Sequence, residues 1–269
     1  MHIVIKIIIY IFAIIGFVFI AVYTATELGW TNTKGIIDNQ HDYFQDQINN
    51  DSWKNTEEWP ILKEAIKKDA EVINRVSRET GIPSRIIVAP LVVEQLRLFT
   101  SEREVFKQVF APLKILGNQS QFSWGVMGIK QETAMRIEEN IKNPKSSWYL
   151  EKEFEHILDF KTNDPDNERF ERLTDEKDRY YSYLYAALMI KELEKQWKDF
   201  GFLIDDKPGI IATLYNIGFI NSKPKLNPQI GGAKIEINKT TYSFGGLAQS
   251  FYNSNELIEE FPIFSPRLL

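Results

Sequence analysis

The predicted fold class depends on whether residues 84–99, which read SRIIVAPLVVEQLRLF, form a strand or a helix. Six of the eight residues from Ile86 to Val93 are branched aliphatic residues, which strand propensity assigns to a buried strand. Pro90 argues against a central strand because proline cannot donate a ladder hydrogen bond, whereas a helix can hold it in its first turn or at a kink. The stretch by itself therefore leaves a buried strand and a helix both open.

On both sides of this stretch, apolar residues recur at helical spacing. The upstream pattern predicts a helix over Ile61–Thr80, with Gly81 and Pro83 as its stop. Two further helices are predicted downstream: Tyr181–Phe200, ended by Gly201, and a helix opened by Pro208 that runs to Gly218.

Strand alternation is convincing only near the C-terminus. Residues 234–237 read KIEI and residues 240–242 read TTY, with Asn238 and Lys239 between them as a turn. The chain is therefore predicted to be mostly α-helical, with one small β-hairpin.

Composition removes several function classes. Thirty-two basic and 37 acidic residues give a net charge of −5 without a basic block, which argues against a nucleic-acid partner. With no cysteine and three histidines, thiolate metal sites, zinc hydrolysis and a Ser-His-Asp triad lack parts, so neither a metal nor a cofactor is predicted. Lys161–Arg179 holds twelve charges in nineteen residues and is predicted to be a solvated loop or an exposed helix.

The N-terminus carries an apolar segment. Ile7–Tyr23 is 17 residues long without a charge, and a membrane-spanning helix needs roughly 17–25 residues. No small-residue cleavage site follows it, and Lys6 precedes it, which favours an uncleaved single-pass anchor in the cytoplasmic membrane with the rest of the chain on the periplasmic side. The predicted organisation is an anchor over residues 1–25, a tether over residues 26–58 and a folded domain over residues 59–269.

Glu94 is the first candidate for chemistry. It closes the apolar run IIVAPLVVE, and desolvation at the edge of such a layer disfavours the anion and raises the pKa, as a general acid near neutral pH requires. Two other interpretations stay open: a helix end that points into solvent, and an ion pair with Arg97 or Arg85.

Two other segments carry glycines or polar pairs in unusual settings. Residues 122–134 read FSWGVMGIKQETA, where Gly125 and Gly128 indicate backbone passing close to another group before a helix begins. Residues 212–218 read ATLYNIG, which puts Tyr215 and Asn216 side by side at the end of an apolar helix.

In chain order, the motifs GIP (81–83), Glu94, GVMGIKQ (125–131) and LYNIG (214–218) resemble those of the lytic transglycosylases of the goose-type-lysozyme-like superfamily. That family has a GIP-like entry to a helix ending in the catalytic glutamate, then a GAMGLMQ turn and a late AYNAG. The resemblance spans about residues 59–218 and implies a lysozyme-like helical domain.

Carried over by position, the resemblance makes Glu94 the catalytic acid and base. It implies cleavage of the bond between N-acetylmuramic acid and N-acetylglucosamine without water, giving 1,6-anhydromuramyl ends. The implied partners are peptidoglycan strands and, through the anchor, the membrane; proteins of an envelope machinery are further candidates. The substrate-binding residues so implied are Gln95, Ser123, Met127, Gln131, Tyr215 and Asn216.

Three departures from the family keep alternatives open. Gln95 stands where the family has serine, Lys130 replaces a hydrophobic residue, and the stretch from Glu94 to Gly125 is longer than usual. One alternative is a catalytically silent glycan-binding or scaffold protein. The others are a hydrolytic muramidase and a helical interaction domain unrelated to glycans; the muramidase needs a second carboxylate, for which Glu102, Glu104 and Asp205 are candidates.

Overall fold

A computed structural model of the chain describes residues 51–100 and 123–263, together with Tyr10, Gly16, Phe17 and Ile20. The chain divides into two compact units, residues 1–36 and residues 37–269. The four described positions of the first unit are all helical. The predicted anchor, the tether up to residue 50 and the stretch 101–122 otherwise lie outside the described residues.

The described part of the second unit is mostly helical, which confirms the predicted fold class at that level. Within it are eight α-helices and two antiparallel two-stranded sheets. The helices are α1 Glu58–Lys68, α2 Ala70–Thr80, α3 Ser84–Thr100, α4 Gln131–Lys142, α5 Pro165–Thr174, α6 Tyr180–Asp199, α7 Pro208–Ile217 and α8 Phe244–Asn253. The strands are β1 Ser123–Trp124, β2 Ile129–Lys130, β3 Lys234–Ile237 and β4 Thr240–Ser243.

The ambiguous apolar stretch is the central helix, α3. It packs against five other helices and against β3, and each residue from Ser84 to Glu94 is buried. A helix surrounded on all sides needs no polar face, so neither alternation nor an amphipathic stripe marks it in the sequence. Pro90 lies inside the helix, where it removes one backbone hydrogen bond of α3 itself.

The single helix predicted over Ile61–Thr80 is two helices. Asp69 lies between α1 and α2 and belongs to neither. Its carboxylate accepts hydrogen bonds from Arg179 Nη1 (2.8 Å) and the Tyr183 hydroxyl (2.5 Å). Both partners are more than 100 residues away in sequence, so the apolar spacing around Asp69 carried no sign of the break. The predicted stop at Gly81 is confirmed: its φ is +75°, a left-handed conformation that glycine adopts readily.

The downstream helices and the hairpin agree with the sequence pattern. α6 is followed by Gly201 at φ +84°, and α7 begins at Pro208 and is followed by Gly218. In the hairpin, Ile237 pairs with Thr240, and the two turn residues, Asn238 and Lys239, both have positive φ. This is the conformation that two-residue hairpin loops require.

Residues 51–58, assigned above to the tether, belong to the folded unit. Trp53 is completely buried against Trp59, and its indole nitrogen donates to Ser250 Oγ at 2.9 Å. Ser52 Oγ lies 2.7 Å from the Tyr242 hydroxyl. The domain therefore begins at least eight residues before Trp59, because its first short helical turn (Ser52–Asn55) closes one end of the core.

The charge-rich segment 161–179 is not simply solvated, which corrects the expectation above. α5 lies within it, and Arg169 is bidentate to Glu138 of α4 with both contacts at 2.7 Å. Arg172 donates to the carbonyls of Leu158 and Asp159. Composition could not distinguish these charges from exposed ones, because their partners lie elsewhere in the chain.

Glu192, on α6, is a fully buried carboxyl. Asn140 Nδ2 donates to its Oε2 at 3.1 Å, while Oε1 has no hydrogen-bond partner among the described residues. Burial raises the pKa of Glu192 well above its ordinary value of 4.5. Burial therefore favours the protonated form of Glu192 over the carboxylate.

We expect this carboxyl to make stability depend on pH. A carboxyl whose pKa is raised by folding binds its proton more tightly in the folded state, so the free energy of unfolding falls as pH rises above 4.5. Glu192→Gln keeps the shape without the titration and should stabilise the chain by about 1–3 kcal/mol at pH 8, with little effect at pH 4. Urea unfolding of the full chain at several pH values measures this.

Glu139→Gln, at an exposed position of α4, is the matched control and should run parallel to the wild type. The pKa of Glu194 is also raised, to about 7, by burial and by Asp205. Glu194→Gln should therefore remove only the part of the slope below about pH 7. If Glu192→Gln left the pH dependence of stability unchanged, the claim that folding raises the pKa of Glu192 would be wrong.

Among the described residues, no helix combines the length and the apolar character needed to cross a membrane. The segment predicted to be the anchor, residues 1–25, is outside that search except for its four described positions.

Candidate active site

Glu94 lies in the C-terminal half of α3, not at its end. The helix continues to Thr100, and only 7% of the Glu94 side chain is exposed. The carboxyl therefore sits beside the core, which agrees with the predicted desolvated environment and not with a helix end in solvent. Of the two arginines considered as ion-pair partners, Arg97 pairs with Glu94: its Nη2 lies 2.6 Å from Glu94 Oε2.

The segment GVMGIKQ, residues 125–131, begins with a tight turn that lies against Glu94. β1 and β2 flank it, with Trp124 opposite Ile129, and Gly125 and Gly128 both have positive φ. A Cβ on Gly125 would come within 1.9 Å of the Leu173 carbonyl oxygen. A Cβ on Gly128 would stand 2.8 Å from the carboxyl carbon of Glu94. The prediction that both glycines mark close backbone approaches is confirmed, and the group approached at Gly128 is Glu94 itself.

Two side chains hold this turn from opposite sides. Gln95 Nε2 donates to the Val126 carbonyl at 2.6 Å, and the Tyr215 hydroxyl donates to the Met127 carbonyl at 2.7 Å. Gln95 thus spans from α3 to the turn, a distance that the shorter serine of the family pattern would not bridge. Hydrogen bonds therefore join the turn to α3, which carries Glu94, and to α7, which carries Tyr215.

Tyr215 is buried beside the same carboxyl. Its ring stacks on Phe244, with centroids 6.5 Å apart. Burial, and then the negative charge of Glu94, raise the pKa of the Tyr215 hydroxyl well above 10, while Arg97 acts in the opposite direction. Tyr215 therefore stays a neutral hydrogen-bond donor. The phenol, the carboxyl and the guanidinium are close enough to influence one another.

The other predicted site residues have different surroundings. Asn216 Oδ1 accepts from the Ala233 amide at 2.8 Å, which ties the end of α7 to the segment before β3. Met127 is fully buried, so its side chain packs in the core and presents no surface to a ligand. Gln131 is the half-buried first residue of α4. Ser123 begins β1 and pairs with Lys130.

The parts that sequence reasoning missed are backbone groups. The carbonyls of Val126 and Met127 organise the turn, and no residue pattern marks a carbonyl as an acceptor. Of the three candidates for a second carboxylate, Glu102 and Glu104 lie outside the described residues. The charge of Asp205 acts on Glu194.

Comparisons with protein-family models, with curated proteins and with solved structures find no match to this chain. Among the described residues, no group of three or more His, Asp or Glu side chains is arranged to hold a metal ion. The arrangement is thus a partly shielded carboxyl with a neighbouring guanidinium, a phenol and a glycine turn, which is suited to acid–base chemistry.

We expect Gly128→Ala to disturb the carboxyl directly. The added methyl would meet the Glu94 carboxyl at 2.8 Å and displace it, and misplacing a reacting group by about 1 Å can reduce a rate about 100-fold. Gly201→Ala is the matched control, because Gly201 also has positive φ but a Cβ there meets no described atom within 4 Å. Both variants should lose about 1–2 kcal/mol of stability from backbone strain.

Glycan cleavage is the activity that the family resemblance implies, and its rate, measured beside urea unfolding, separates the two effects in these variants. Only Gly128→Ala should lose the rate. An equal rate in both variants would mean that the contact of Gly128 with Glu94 has no part in function.

Proposed function

We propose that the chain is a membrane-anchored lytic transglycosylase with a lysozyme-like domain that cleaves peptidoglycan glycan strands. The observation that carries this proposal is the meeting of three distant motifs at one carboxyl: Gly128 lies against Glu94, and Tyr215 bonds the adjacent carbonyl. The same motifs, in the same order, are those that resemble the family. An N-terminal anchor over residues 1–25 in the cytoplasmic membrane would hold the domain near periplasmic glycan strands.

In the proposed reaction, one carboxyl serves twice. Protonated Glu94 gives its proton to the glycosidic oxygen between N-acetylmuramic acid and N-acetylglucosamine as the bond from that oxygen to the muramyl C1 breaks. The substrate's N-acetyl group stabilises the developing cation. The muramyl C6 hydroxyl then attacks C1 and returns its proton to the Glu94 carboxylate. No water is consumed, so no second carboxylate is required.

The surroundings of Glu94 give the other residues roles in this scheme. Gln95 and Tyr215 hold the turn whose backbone touches the carboxyl, and a close, rigid contact keeps the proton donor in one position. These two residues are positioning residues, because their described hydrogen bonds go to backbone carbonyls. Asn216 braces the end of α7, which carries Tyr215.

One observation favours a second candidate, a catalytically silent glycan-binding protein. The Arg97 guanidinium at 2.6 Å favours the ionised form of Glu94, whereas the reaction begins from the protonated form. If that ion pair persisted with substrate bound, Glu94 could not deliver a proton. Glycan binding without cleavage would be the consequence.

The deciding experiment incubates the full-length chain with purified peptidoglycan and identifies released fragments by mass spectrometry. Anhydromuramyl ends would support the transglycosylase, and reducing ends would support the muramidase. Binding without release would support the silent protein. Neither release nor binding would contradict all three and leave a helical interaction domain.

A further inference from the structure

We propose that Arg97 is the binding residue for a carboxylate of the glycan substrate, and that its transfer from Glu94 to that carboxylate prepares Glu94 for protonation. The inference rests on the proposed function, which it deepens by naming the anionic group that the substrate must carry. Three features of the site support it: the ion pair, the exposure of its two members, and the charge that the chemistry requires.

Arg97 follows Glu94 by three residues, about one turn of α3, so the two side chains lie on the same side of the helix. The Arg97 side chain is 18% exposed and that of Glu94 7% exposed, so a ligand that approaches this pair meets the guanidinium more readily than the carboxyl. The charge of Arg97 also acts on the Tyr215 hydroxyl, so the guanidinium influences the phenol as well as the carboxyl.

The ion pair cannot be the reacting state of the proposed enzyme. While Arg97 bonds Glu94, the guanidinium favours the ionised carboxylate over the protonated form from which the reaction begins. A neutral sugar hydroxyl is a poor replacement for a carboxylate beside a guanidinium, because charge-assisted bonds are about twice as strong as neutral ones. A carboxylate of the substrate, by contrast, offers Arg97 the same charge and the same acceptor atoms as the Glu94 carboxylate. Without the charge of Arg97 beside it, the buried Glu94 carboxylate takes a proton from solvent more readily.

The guanidinium suits this exchange better than an ammonium would. Its planar set of donors matches two carboxylate oxygens at once, and it stays charged at any pH of interest. Arg97 on α3 bonds Glu94, and the charges of both act on the Tyr215 hydroxyl of α7. Tyr215 remains neutral, whereas movement of Arg97 away from Glu94 removes a positive charge from beside the carboxyl.

Peptidoglycan offers carboxylates from two sources near the bond that the proposed reaction breaks. Each N-acetylmuramic acid carries a lactyl ether, whose carboxyl is free in strands without stem peptides and amide-linked in strands that bear them. Stem peptides carry carboxylates of their own. The common chemistry is a carboxylate beside the muramyl ring, and the choice of strands in the experiment separates the two sources.

The test measures kcat and KM of the full-length chain on three sets of strands. The first has free lactyl carboxylates, the second is the same material with those carboxylates converted to methylamides, and the third bears stem peptides. The variants are Arg97→Gln and Arg97→Lys. Arg78→Gln, at an exposed position of α2, is the matched control.

For the wild type and Arg78→Gln, we expect a KM at least tenfold lower on whichever carboxylate-bearing strands fit than on the methylamide strands, as loss of a hydrogen-bonded charge predicts. Preference for the first set identifies the lactyl carboxylate, and preference for the third identifies the stem peptide. Arg97→Gln should lose the discrimination, and Arg97→Lys should retain part of it. In Arg97→Gln the alkaline limb of the pH–kcat/KM profile should also move to higher pH, because that profile reports the free enzyme, in which Arg97 pairs with Glu94. A merely structural residue would not cause this shift.

Unchanged discrimination in Arg97→Gln, or an equal loss of activity on all three sets, would overturn the inference and leave the proposed function intact. If the wild type released no anhydromuramyl ends from any strand, the proposed function would fail. Cosedimentation of the full-length chain with the three sets would then decide the inference alone. Binding that depends on both the carboxylate and Arg97 supports it, and binding indifferent to either overturns it.

Discussion

Replacing Glu94 by glutamine is expected to reduce the release of anhydromuramyl fragments by about 100-fold to 10,000-fold, the range that removal of a general acid or base produces. Glutamine has nearly the same shape as glutamate, and its amide oxygen can still accept from Arg97. It has no proton to give at neutral pH and cannot take one from the C6 hydroxyl. Both halves of the proposed reaction therefore fail in this variant.

The structure makes Glu94→Gln a specific test of the carboxyl because the hydrogen bonds that hold the turn do not depend on the charge of Glu94. Gln95 and Tyr215 bond the carbonyls of the turn, not the carboxyl, so the turn should stay in place. Glu132→Gln, at an exposed position in the first turn of α4, is the control and should keep full activity. Mass spectrometry of digests, with urea unfolding of each variant, provides the measurement. Full activity in Glu94→Gln would exclude Glu94 as the acid.

Replacing Arg85 by methionine is expected to lower the free energy of unfolding by about 3–5 kcal/mol, because several buried carbonyls lose a charged hydrogen-bond donor at about 1–3 kcal/mol each. Arg85 is completely buried at the start of α3. Its guanidinium donates five hydrogen bonds of 2.6–3.0 Å to backbone carbonyls at the end of α8 and in the segment that follows. The acceptors are Phe251, Tyr252, Ser254, Glu256 and Phe261.

The cost arises mainly from the carbonyls left behind. A buried oxygen left without a partner costs about 1–3 kcal/mol, and methionine fills the volume without bonding the carbonyls. The total stays below the sum over five because the Phe251 carbonyl keeps its hydrogen bonds from the Ser254 amide and hydroxyl. Burial lowers the pKa of Arg85, but an arginine keeps its charge in proteins, so the carbonyl dipoles must stabilise it. Lysine cannot replace this planar set of donors, so Arg85→Lys should also be destabilised by more than about 1 kcal/mol.

Urea unfolding of the full-length chain, followed by tryptophan fluorescence, measures the effect. Arg78→Met, at an exposed position of α2, is the matched control and should change stability by no more than about 0.5 kcal/mol. A loss below about 1 kcal/mol in Arg85→Met would mean that the C-terminal segment contributes little to the fold.

Local patterns predicted most of the fold. The helices that end at Gly81 and Gly201 and the hairpin turn at Asn238 and Lys239 follow from spacing and from residues that tolerate positive φ. Such features depend on neighbours within a few residues, so a single sequence contains them. α3 was ambiguous for the opposite reason: a helix that is apolar on every side shows no period.

The candidate site was predicted in part. Glu94, Gln95 and Tyr215 are brought together around one turn, while Met127 contributes its carbonyl and not its side chain. The sequence specifies the chemistry of each side chain, but packing against distant residues determines its orientation.

By itself, the sequence determined the mostly helical class, the hairpin, several helix ends and the order of the motifs, because each depends on residue type and short-range spacing. Only the tertiary structure decided that α3 is a helix, that Asp69 divides α1 from α2, and that Arg85 and Arg169 are buried. It also decided that Arg97 pairs with Glu94 under the turn at Gly128. These features depend on which distant residues meet, since a charge can be buried only where a partner from another part of the chain compensates for lost water.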